Sequence, residues 1–200
     1  AADLVAAGKT PRALVSAAEE LSDSIVAIHY ALGLVEDGNR AGLTLGEGAV
    51  SMVVESRRSA EQRGARIYGT LVGWKTVRDI QCGPLEFSLR KDLLVEAANR
   101  CMEGIRNDGG EMLFGTPENG IRELESSLRG ISLRPLRFRA RFGESGIAGG
   151  LGLAAFLLER SSSPPPLGMI LTTARGGILA ATSARRERPQ GKKGRESHDR

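Results

Sequence analysis

Aromatic residues make up only 4% of this 200-residue chain, and cysteine and histidine occur twice each. Each shortage excludes something. Cys82 and Cys101 are far apart and neither has a histidine at ligand spacing, so there is no zinc-ligand pattern and no disulfide framework. With few aromatics the core must be built from Ala, Leu, Val and Ile. The 26 glycines permit close backbone approaches, which suits layered α/β packing. No apolar run is long enough to span a bilayer, and no basic start with an apolar centre marks a secretory signal. The expectation is no membrane and a reduced, cytoplasmic setting.

The charge balance needs to be located before it is interpreted. The chain carries +4, and residues 185–200 alone hold seven basic and three acidic residues. The excess in that short stretch equals the charge of the whole chain, so residues 1–184 are neutral. A neutral body offers no basic face for nucleic acid. Residues 1–184 are expected to form the folded region and 185–200 a basic, disordered tail. At 40% hydrophobic and 26% charged residues, the composition is that of an ordinary globular protein.

Along the chain, Ala1–Gly8 has the pattern of a helix end closed by glycine, with no start signal before it. Arg12–Ser16 and Ala49–Glu55 are predicted strands. Ser24–Val35 is apolar with mixed periodicity, predicting a helix or a buried connection. A polar helix is predicted over Ser56–Arg63, closed by Gly64, and a half-exposed strand over Ile67–Val77. Leu93, Leu94, Ala97, Ala98, Cys101 and Ile105 recur at helical spacing within Lys91–Arg106. A strand is predicted over Glu111–Gly115, a helix over Gly120–Leu128, a strand over Arg134–Arg141 and a helix over Gly146–Glu159. Met169–Thr173 and Ile178–Ser183 then form strands around Arg175-Gly-Gly177. Alternating elements predict an α/β protein, and the closing pair predicts an antiparallel part in a mixed sheet.

Candidate chemistry is thin. Glu47, between Gly46 and Gly48, suits the capping of nearby amides more than catalysis. Glu144 and Ser145 precede a helix start and suit a cap. Gly143-Glu-Ser-Gly146 is not a nucleophile elbow, because Ile147 occupies the second glycine position. Gly150-Leu-Gly152 matches a dinucleotide fingerprint only loosely, with no ribose-binding acid at the right distance. His29 lies in an apolar context that suits a satisfied core histidine.

Four stretches in order carry a resemblance. Gly42-Leu-Thr-Leu-Gly-Glu-Gly-Ala49 with the strand to Glu55 and Arg63-Gly-Ala65 is one; Phe114-Gly-Thr-Pro117 with Glu123 is the second. Gly146-Ile-Ala-Gly-Gly-Leu-Gly152 and Arg175-Gly-Gly177 complete the set. Together they resemble the β-ketoacyl-acyl-carrier-protein synthases of the thiolase fold, over roughly residues 1–184. The resemblance implies a layered, thiolase-like α/β fold with a mixed sheet, only partly represented by this chain. It also implies decarboxylative Claisen condensation, with no cofactor and no metal, and an acyl carrier protein and a ketosynthase-like chain as partners.

The pattern departs from that family at the reacting groups. The nucleophilic Cys would precede Ala1, and neither Cys82 nor Cys101 falls at its position. Phe114 stands where the first His is expected and Gly143 where the second is. Phe138 lies near the usual Lys, Arg175 replaces the gatekeeper Phe, and Leu179 replaces an Asn. Glu47, Phe114, Thr116, Glu144, Ser145 and Arg175 remain as pocket or motif residues without a catalytic set. Condensation needs a thiolate to hold the acyl chain and two imidazoles to stabilise the enolate. The expectation is a chain that is non-catalytic alone, comparable to a chain-length-factor subunit. The alternative is an active 3-oxoacyl synthase whose nucleophile comes from a missing segment or a partner chain. A third reading is a truncated homologue that leaves an apolar sheet face uncovered.

Overall fold

The computed structural model describes residues 1–36, 44–84, 88, 90–105, 147–159 and 167–187, and the backbone of strands at 111–115 and 132–135. The largest unit is a five-stranded mixed sheet of β3 (Gly69–Arg78), β4 (Glu111–Gly115), β5 (Ser132–Pro135), β6 (Leu167–Ala174) and β7 (Ile178–Arg186). Its order is β3-β7-β6-β4-β5. β4 lies parallel to both β5 and β6, whereas β7 runs antiparallel to β6 and to β3.

The alternation of side chains along β6 and β7 divides the core into two faces. Leu167, Met169 and Leu171 of β6, with Leu179 and Ala181 of β7, pack against the helix α4 (Lys91–Met102). That helix presents Leu94, Ala97, Ala98, Cys101 and Met102, all buried, on the one face its spacing predicts. Each fully buried Leu or Met here contributes about 1.5–3 kcal/mol. Ser183, a fully buried polar side chain on this face, is satisfied. It accepts the Cys101 thiol proton at 3.3 Å and donates to the Gly73 carbonyl at 3.4 Å.

The opposite face takes α5 (Ala148–Leu158), with Phe156 against Ala184, Leu71, Leu153 and Leu157. Beyond α5 lies a second, two-stranded antiparallel sheet of β1 (Arg12–Glu19) and β2 (Gly48–Glu55). The helix is wedged between the two sheets by its lack of side chains. A methyl added at Gly149 would lie 2.6 Å from Thr172 Cγ2 on β6, and one at Gly150 would lie 2.7 Å from Val50 Cγ1 on β2. The order of layers is therefore α4, five-stranded sheet, α5, two-stranded sheet, which is the mixed, layered α/β architecture expected.

Short helices complete the described residues. α1 (Ala2–Ala6) is tied to β3 by the Trp74 indole N–H, which donates to Asp3 Oδ1 at 2.6 Å. α3 (Arg57–Gln62) starts with Ser56 accepting the Ser59 amide and stops at Gly64, whose φ is +65°. α2 (Asp23–Ala31) is a helix capped by Ser22, but it buries none of its residues. The helix alternative expected for this stretch therefore holds, whereas the buried connection and the placing of His29 in a core do not.

Three other expectations are corrected. β1 runs to Glu19 rather than stopping at Ser16, because its partner β2 supplies a hydrogen-bonding edge through Gly48. β5 starts at Ser132, two residues ahead of the strand expected over 134–141, of which 136–141 lie outside the described residues. The folded region does not end at residue 184. β7 continues through Arg186, whose guanidinium donates to the Phe156 and Glu159 carbonyls at the C-terminal end of α5 and lies 4.7 Å above the Phe156 ring. Glu187 then accepts from Arg57 and from the Thr70 hydroxyl. The helix expected over Gly120–Leu128 and the rest of the basic tail lie outside the described residues.

Gly73 is where α4 meets β3 most tightly, since a methyl there would sit 2.1 Å from the Cys101 carbonyl oxygen. That neighbour is helix backbone and cannot swing away. Gly73→Ala is expected to cost at least about 2 kcal/mol by overpacking, read as a lower urea midpoint. An unchanged midpoint would contradict this packing of α4.

Candidate functional site at one edge of the sheet

Strand direction brings the distant motif stretches to one edge. β3 ends at Arg78, opposite the start of β7 at Ile178, and β6 ends at Ala174 beside the same turn. β4 runs parallel to β6, with Phe114 level with Met169 and Gly115 with Ile170, so its C-terminal end points the same way. α5 runs antiparallel to β6, with Gly149 near Thr172 and Phe156 against Gly168, which brings the helix N-terminus to this edge as well. The start of β2 follows, since the nearest atom to a methyl at Gly48 would be Ile147 Cδ1 at 3.7 Å.

The turn at Arg175–Gly177 is held against the segment that follows β3. The Asp79 amide donates to the Gly177 carbonyl at 2.8 Å. Gly177 has φ +71°, and a methyl there would fall 2.4 Å from the Asp79 carbonyl oxygen and 2.7 Å from Cys82 Cβ. Only glycine meets both demands. Asp79 is itself 5% exposed. Its carboxylate accepts the Gln81 amide at 3.1 Å and the Ser88 hydroxyl at 2.7 Å, with the Arg90 guanidinium 4.0 Å away. A buried carboxylate is tolerated because these donors replace water.

The sequence-predicted residues fare differently. Glu47 is exposed and its Oε2 accepts the Leu21 amide at 3.1 Å, tying the approach to α2 onto the start of β2. Arg175 is exposed at the turn. Phe114 is placed by its backbone near the end of β4. Thr116, Gly143, Glu144 and Ser145 lie outside the described residues, and the N-cap position of α5 falls on Ile147, which has no side-chain acceptor. His29 is half-buried, with Nδ1 2.8 Å from the Ile25 carbonyl of its own helix. Cys101 lies in the core between α4 and β7, and burial pushes its thiol up, against a smaller opposing effect of the Ser183 hydrogen bond. A thiol kept protonated in this way is no nucleophile. Cys82 is half-buried against the Gly177 turn. Among the described residues no group of three or more His, Cys, Asp or Glu could hold a metal ion, and no helix is long and apolar enough to cross a membrane.

The Asp79–Ser88 pair was not singled out in the sequence. Its one local signal is an acid at a strand end ahead of Gly83-Pro84, and the partners that bury it come from Ser88 and from Gly177, 98 residues away. Asp79→Ala should destabilise the protein by about 1–3 kcal/mol, the cost of leaving buried donors without an acceptor. It should also speed amide exchange at Gln81. Unaltered exchange at Gln81 would remove Asp79 as the anchor of this edge.

No protein-family model matches the chain, and no curated protein matches it either. Solved structures do. A β-ketoacyl synthase from Burkholderia phymatum STM815 superposes with a TM-score of 0.70 at 21% identity, covering 93% of this chain and 57% of its own. The ishigamide ketosynthase/chain length factor gives 0.73 at 19% identity, with 93% and 56% covered. A type II polyketide-synthase complex of an acyl-carrier protein with its ketosynthase gives 0.73 at 18%, with 92% and 58% covered. The chain spans somewhat more than half the length of these structures. It carries the thiolase-like fold of the β-ketoacyl synthases, over the part of that fold that its 200 residues cover.

Proposed function

We propose that the chain is a non-catalytic ketosynthase-like protein of fatty acid or polyketide biosynthesis, working in the cytoplasm as the partner of a ketosynthase-like chain that receives substrate on an acyl carrier protein. One observation carries this reading. Phe114, the residue aligned with the family's first imidazole, sits near the C-terminal end of β4, at the edge to which the other motif stretches converge. A phenyl ring neither donates nor accepts a proton, so the enolate of a decarboxylating malonyl thioester would go unstabilised there. Gly143, aligned with the second imidazole, compounds the loss. One of the similar structures is a ketosynthase/chain length factor, which supports a subunit role.

The second reading, an active synthase completed by another segment or chain, is favoured by the uncovered apolar face of β1–β2, where Leu14 is 71% and Val53 51% exposed. One assay separates the two. The purified chain, given acyl- and malonyl-loaded carrier protein, is expected to release no ketoacyl product above the protein-free blank. Product from the chain alone would overturn the non-catalytic reading. Product that appears only when a segment carrying a thiol nucleophile is added, with no intact ketosynthase present, would favour the second.

A further inference from the structure

We draw no further inference here: the strongest candidate, the exposed patch of Ile80, Ile178, Arg78 and Arg175 at the edge where β3 ends and β7 begins, belongs to the site already described, and nothing in the structure shows what covers it.

Discussion

The packing of α5 between two sheets is the constraint on which the rest of the structure depends. A helix with ordinary side chains keeps its axis 8–10 Å from its neighbours. Gly149 and Gly150 remove the side chains on the two sides that meet β6 and β2, so both sheets close onto the helix at its N-terminal turn. Farther along, bulk returns: Phe156 is fully buried against the five-stranded sheet, and Arg186 holds the helix end by its carbonyls and its aromatic ring. The helix is therefore narrow where two sheets meet and wide where only one sheet covers it. Its N-terminus is fixed at the edge where β3, β4 and β6 all finish.

This arrangement explains why some of the fold could be read in the sequence and some could not. β6 is buried over most of its length and α4 along one face, and they announce themselves by an apolar run and a clean helical stripe. The apolar run of β2, by contrast, meets no continuous burial, and Val53 is exposed. The glycine run at 146–152 signalled close packing, but not that two different sheets would be the partners. α2 misled for a physical reason: Val26, Ile28 and Tyr30 have the composition of a buried segment, yet they are 40%, 57% and 61% exposed. Composition records what a segment is suited to touch, and the described residues supply nothing that covers it. The extent of β7 is hidden in the sequence because Arg185 and Arg186 share the basic composition of the residues that follow. Arg186 is an anchor whose partners, Phe156 and Glu159, lie far back in the sequence.

The candidate edge was legible as a set of motifs and illegible as a network. Gly177 and the start of β2 could be marked from glycine placement alone, since a positive φ or a close approach leaves a residue-type trace. Asp79 leaves no such trace. An acid becomes a buried latch only when Ser88, the Gln81 amide and the Gly177 turn are brought around it, and those contacts arise from topology.

Stability and chemistry are also separated in space here, and that bears on how such a protein could persist. The apolar core lies between α4, β6 and β7, whereas Phe114 lies near the C-terminal end of β4. Residues that handle protons contribute to transition-state charge and little to burial, so on the proposed reading their loss at Phe114 and Gly143 would leave the layered core in place. What such a replacement cannot preserve is proton handling. Gly149, Gly150 and the Asp79 latch are each fixed by a close approach or a buried acceptor, so the packing demands them whatever chemistry the strand ends carry.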